Sequence, residues 1–131
     1  MSKVLLLIVE DELMLANMYA TKFKVDGFDV DIAHDGAEGF EKMRTDKPDL
    51  VLMDVIMPNL SGLQALEKAK TDPATKDIPI IMLTNLSGDT DVIRALKEGA
   101  AGFIVKSDQT PSEIVNKVSE ILGKSKKSKE S

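Results

Sequence analysis

The sequence predicts one α/β domain, a parallel sheet of five strands with helices packed over it. Three observations carry that prediction. Short runs rich in Val, Ile and Leu recur five times; apolar residues fall at steps of three and four between them; and glycine or proline stands at several of the joins. Strand and helix patterns in regular alternation imply parallel strands linked by helical crossovers. Right-handed crossovers leave few ways of ordering such strands. With 131 residues the chain fits a single domain and buries a core without staples.

The first strand is VLLLIV (4–9), and it runs straight into three consecutive carboxylates, Glu10-Asp11-Glu12. Leu13, Ala16, Ala20 and Phe23 then share a helix face, and Asp26-Gly27 stops that helix. FDVDIA (28–33) alternates, which marks an edge strand with one wetter side. Ala37, Phe40, and Arg44 with Met43 give a less regular second helix, and Lys47-Pro48 leads into LVLMD (50–54). Ser61-Gly-Leu-Gln64 has the form of a capping box, opening a third helix with Leu63, Leu66 and Ala69 on one face. Ile78-Pro79 opens IPIIMLT (78–84). A fourth helical stretch carries Val92, Ala95 and Leu96 and closes at Glu98-Gly99. GFIVK (102–106) is the fifth strand, and Ile114, Val118, Ile121 and Leu122 mark the fifth helical stretch.

The first, third and fourth strands are continuously apolar, as expected of strands covered on both faces. The tetrapeptide NLSG occurs at 59–62 and again at 85–88, each time between a buried strand and a helix, so the same local role is filled twice. KSKKSKES (124–131) has no apolar residue. We expect a domain over 1–123 and a disordered basic, Ser-rich tail over 124–131.

Composition removes several classes of function. The formal charge is −5 and only 4% of residues are aromatic, which argues against general nucleic-acid binding and against a stacking platform for bases. Without cysteine there is neither a disulfide frame nor a thiolate zinc site, in keeping with a cytoplasmic protein. No apolar run reaches the length of a membrane span, and the N-terminus lacks the small-residue cleavage site of a signal peptide. There is no GxGxxG and no GxxxxGK[ST]. His34, the only histidine, falls in a loop after the edge strand and forms no metal cluster or nucleophile pair. The seven methionines sit mainly in apolar patterns and serve as core filling.

In an open parallel sheet, ligands bind at the carboxyl ends of the strands. Those ends are Glu10-Asp11, Asp54, Thr84 and Lys106. Each residue alone has a plain structural use: a carboxylate caps a helix, a hydroxyl bonds backbone, a lysine buries its stem. Together they offer carboxylates for a hard cation, one hydroxyl and one ammonium. That set suits a phosphoryl group with Mg²⁺, which takes oxygen ligands from one or two carboxylates, waters and phosphate.

These residues, with the stretch Asp54-Val-Ile-Met-Pro-Asn-Leu-Ser-Gly62, resemble the receiver domain of bacterial two-component response regulators. The resemblance covers about residues 3–123, and the pattern DxxMPxxxG after an apolar strand is specific. It implies a flavodoxin-like, doubly wound sheet in the order 2-1-3-4-5. It implies that Asp54 accepts a phosphoryl group from a phosphohistidine on a sensor histidine kinase or phosphotransfer protein. Mg²⁺ is then bound by Asp11, Asp54 and the backbone carbonyl of Ile56, with Glu10 acting through a water, while Glu12 serves the first turn of the first helix. Thr84 and Phe103 are implied as the switch pair, changing a protein-binding face made of the fourth helical stretch, the fifth strand and the fifth helical stretch. A stand-alone or excised receiver without direct DNA binding or membrane contact, and with a downstream protein target, is the expected form.

The chain departs from the family pattern in places. Ser107 follows Lys106 where the family usually has proline after a commonly cis bond, which puts the placement of Lys106 in question. Asn85 follows Thr84 where a small residue is usual. Ile56 and Leu86 are apolar and cannot orient a water, so slow loss of phosphate is expected. Two alternatives stand beside this: a pseudo-receiver acting as a constitutive interaction module, and a metal-dependent phosphohydrolase. The second would need an acid two residues after the nucleophile, where this chain has Ile56.

Overall fold

The computed structural model of the chain describes residues 4–55, 61–84, 97, 99–105 and 110–130. Five strands, β1 (Leu5–Val9), β2 (Asp29–Ala33), β3 (Leu50–Asp54), β4 (Ile80–Thr84) and β5 (Gly102–Val105), form one sheet in the order β2-β1-β3-β4-β5. Every neighbouring pair is parallel. The described helices are α1 (Leu13–Val25), α2 (Gly36–Asp46), α3 (Gly62–Thr71) and α4 (Pro111–Glu130). The expected fourth helical stretch, with the second NLSG, falls outside the described residues.

Alternation along the strands divides the core into two layers. Leu7, Val9, Val51, Met53, Ile80 and Met82 point to one side, where Met43 of α2 and Leu63, Leu66 and Ala69 of α3 cover them. Leu6, Ile8, Leu50, Leu52, Ile81, Leu83 and Ile104 point to the other, under Tyr19, Ala20 and Phe23 of α1 and Ile114, Val115 and Val118 of α4. Strands β1 and β3 therefore lose water on both faces, which is why their sequences are unbroken apolar runs. The alternating β2 lies at the sheet edge. Its Asp31 is tied to α2 by Lys42, whose Nζ lies 3.0 Å from Oδ1. Burial acts to raise the Asp31 pKa, but Lys42 and the Ile32 amide outweigh it and hold the carboxyl below its ordinary value.

Two local expectations change. Leu13 is the first residue of α1, out at the carboxyl edge of the sheet, and is 58% exposed; the buried face of α1 is made of Ala16, Tyr19, Ala20 and Phe23. Ala37 is exposed, and Gly36, Gly39 and Met43 face inward instead, because small residues let α2 lie close on the sheet. Helix α4 runs on to Glu130. Lys and Glu are good helix formers, and extending a helix already nucleated by its packed turns is easier than starting one.

Candidate functional site

β1 and β3 are neighbours, in register from Leu6 opposite Leu50 to Val9 opposite Met53. One step further along that ladder, Glu10 comes level with Asp54. Asp11 follows at the bend before α1. Carboxylate oxygens of Glu10, Asp11 and Asp54 all lie within 4.8 Å of one another. Glu10 is fully buried and Asp54 is 8% exposed, while Asp11 faces solvent.

Main-chain bonds fix this end of the sheet. The Glu10 amide donates to the Ala33 carbonyl at 3.0 Å, carrying the β1–β2 ladder one residue past the strand. The Val55 amide donates to Leu83 at 2.9 Å, doing the same for β3 and β4. The Glu10 side chain also acts locally, since its Oε2 accepts from the Glu12 amide at 3.3 Å. Glu12 is the residue on which α1 starts; its carbonyl accepts from Ala16 and its side chain makes no cap. On the other side, α3 starts with a complete capping box. Ser61 Oγ accepts from the Gln64 amide at 3.2 Å, and Gln64 Oε1 from the Ser61 amide at 3.1 Å.

Three acids in one place, two of them buried, repel unless a cation joins them. The donor set is all oxygen, which suits a hard ion. Two opposite ligands on Mg²⁺ are about 4.2 Å apart, and the three oxygens, within 4.8 Å of one another, lie near the spacing at which carboxylates and water share one such ion. Asp11, open to solvent, leaves a side for the waters that Mg²⁺ gives up reluctantly.

Of the other residues expected at the site, Thr84 ends β4 and is paired with Val105, and its side chain lies outside the described residues. Ile56 and Lys106 lie outside them as well, as do Asn85, Leu86 and Ser107. Phe103 stands on β5 opposite Met82 and packs, partly buried, against the apolar layer under α2 and α3. His34 is exposed, and its amide donates to Glu38.

Gly62 closes the DxxMPxxxG motif but received no role from the sequence. It is buried, and a Cβ built on it would stand 2.0 Å from the Asp54 carbonyl oxygen. The available signal was a glycine placed at the first helical position of an otherwise well-formed helix start.

The family model for the response regulator receiver domain matches residues 6–119. The chain belongs to the receiver-domain family. Response regulator PleD of Caulobacter vibrioides is 34% identical over 101 residues, which is 77% of this chain and 22% of that protein. DNA-binding response regulator MtrA of Mycobacterium leprae is 33% identical over 113 residues, 86% of this chain and 48% of that one. A CheY-like receiver domain protein from Methanospirillum hungatei superposes with a TM-score of 0.87 at 27% identity, covering 97% of this chain and 99% of that one. The chain thus spans about a fifth to a half of the length of these two curated relatives. As a receiver domain of two-component signalling, it carries its acidic cluster at the carboxyl ends of the two central strands β1 and β3.

Proposed function

We propose that this receiver is a phosphorylation-dependent signalling switch in which Asp54 takes a phosphoryl group from a phosphohistidine of a sensor histidine kinase or phosphotransfer protein. The observation that supports this most is the meeting of Glu10, Asp11 and Asp54 at one end of the sheet. A carboxylate oxygen of Asp54 bonds to phosphorus as the phosphorus–nitrogen bond breaks, and the electron pair leaves with the imidazole. The product is an acyl phosphate. Asp11, Asp54 and the backbone carbonyl of Ile56 are the groups that would hold Mg²⁺, with Glu10 acting through a water. When bound, the ion neutralises charge on the phosphoryl oxygens. The Lys106 ammonium and the Thr84 hydroxyl each approach one of those oxygens.

Thr84 and Phe103 belong to adjacent strands, in a ladder that pairs Met82 with Phe103 and Thr84 with Val105. Movement of Thr84 toward the phosphoryl group lets Phe103 turn inward. The face made by the fourth helical stretch, β5 and α4 then changes its preference for a downstream protein. Phosphorylation only biases two states already present. The domain assists its own phosphorylation and slow dephosphorylation and turns over no other substrate. We assign no DNA binding to these 131 residues, whose charge is −5; DNA binding in the name of MtrA belongs to a protein about twice this length. No described helix is long and apolar enough to cross a membrane, and we place the domain in the cytoplasm.

The test is intact mass after incubation with Mg²⁺ and acetyl phosphate, beside Asp54→Ala and an EDTA control. One phosphoryl adduct is expected, absent from both controls. An unmodified wild-type chain overturns the switch and favours a constitutive interaction module. An adduct that survives Asp54→Ala overturns the choice of residue.

A further inference from the structure

We infer that Gly62 is a positioning residue for Asp54: the bare Cα at the start of α3 is a stop against which the carboxyl end of β3 is set. This deepens the phosphoacceptor reading and rests on it. A Cβ at position 62 would meet the Asp54 carbonyl oxygen at 2.0 Å, the Asp54 carbonyl carbon at 2.9 Å and the Val55 Cα at 2.9 Å. All three are backbone atoms, so no side-chain rotation relieves the overlap. The first contact falls well short of the 3.4 Å at which ordinary contact begins.

Neither partner can yield alone. The Gly62 amide donates to the Val55 carbonyl at 2.8 Å, so the segment from 55 to 62 begins and ends at one hydrogen bond. The capping box holds the next residues in helical geometry, and Leu63 and Leu66 seat α3 on the core. On the other side, β3 is paired with β1 and with β4, and the Val55 amide is tied to Leu83. An alanine at 62 therefore has to lift α3 or tilt the last residue of β3. That residue is Asp54, whose carboxylate must keep its spacing to Glu10 and Asp11. Glycine also costs helix stability relative to alanine. Its presence at this helical position fits a close backbone approach better than helix propensity.

A glycine needed only for packing would, on mutation, lower stability and leave the acidic cluster as it was. The test reads both quantities in the full chain: thermal stability, and Mg²⁺ affinity followed by amide shifts in nuclear magnetic resonance. Ser61→Ala is the control, because it weakens the start of α3 without adding an atom against Asp54. We expect Gly62→Ala to weaken Mg²⁺ binding about tenfold or more and to slow phosphorylation by acetyl phosphate by about ten- to a hundredfold. Ser61→Ala should stay within about twofold of wild type on both measures, since it leaves that geometry in place. Gly62→Ala within the same limits overturns the inference. If Gly62→Ala does not fold, the wild-type spectrum decides: Mg²⁺ should shift the Gly62 and Val55 amides, and an unmoved Gly62 overturns the inference. A wild-type chain that binds Mg²⁺ but forms no adduct defeats the phosphoacceptor reading alone. Unequal Mg²⁺ affinities for wild type and Gly62→Ala would still support the positional stop.

Discussion

The two helix starts beside the acidic cluster are built differently. α3 begins with its own chemistry: a reciprocal Ser61–Gln64 box and a buried glycine pressed on the backbone of Asp54. α1 begins on Glu12 with no side-chain cap and no acid in its first turn, and the Glu12 amide is served by Glu10 from the preceding strand end. One start is closed and bears on β3. The other depends on a carboxylate that also belongs to the acidic cluster, and it leaves Leu13 and Met14 in solvent, 58% and 89% exposed. The α3 side of the cluster is therefore the one with its own cap and a close backbone approach. The α1 side is where charge at the site is felt by a helix.

The largest expected difference between the two helices lies in packing. Leu66→Ala in α3, where the side chain is fully buried, should cost about 2–5 kcal/mol. Met14→Ala in α1 should stay within about 0.5 kcal/mol, as an exposed substitution. Denaturant midpoints at constant slope measure both. Equal losses would show that the start of α1 is covered in solution and would break the comparison.

A smaller difference lies in capping. Ser61→Ala should cost about 1 kcal/mol, within a range of about 0.5–2. Glu12→Ala should cost almost nothing, because its side chain caps no amide. A loss at Glu12 equal to that at Ser61 would show that α1 has a cap of its own.

The smallest effect concerns pH. α4 also opens with a capping box, Thr110 with Glu113, but its third helical residue titrates, whereas Gln64 in α3 does not. The backbone bond to Thr110 holds the Glu113 pKa below its ordinary value. A lowered carboxyl pKa adds stability above the unfolded pKa and loses it as pH falls through the folded one. Acidification below about pH 4 should thus speed amide exchange at Thr110 and leave Ser61 on the ordinary pH dependence of exchange. Parallel behaviour of the two amides would remove the distinction.

Legibility followed the range of the forces. The Ser61–Gln64 box, the stop at Asp26-Gly27, and the edge character of β2 are readable because each depends on residues near one another in sequence. Gly27 does take φ +97 at that stop. The buried face of α1 departs from its periodicity at Leu13, since periodicity places a residue on a face without saying where along the helix the sheet ends. The Thr110–Glu113 box is present in the letters, with Pro111 at the first helical position, yet only the structure brought it out. The acids of the site are legible because three consecutive carboxylates after a buried strand, and a fourth after another, have few uses in common.

By itself the sequence determined the alternation of strands and helices, the sites where most elements stop, and the acids that stand at the strand ends. Spacing and residue type decide those, because hydrophobic period and local hydrogen bonding act over a few residues. That β1 and β3 are neighbours is expected from the family resemblance, and the sheet order agrees; only the tertiary structure showed that carboxylate oxygens of Glu10 and Asp11 come within 4.8 Å of one on Asp54. It alone decided that Glu10 serves α1 and that Gly62 bears on the carbonyl of Asp54. Those are contacts between backbone segments brought together by the sheet, and their distances depend on how whole elements pack.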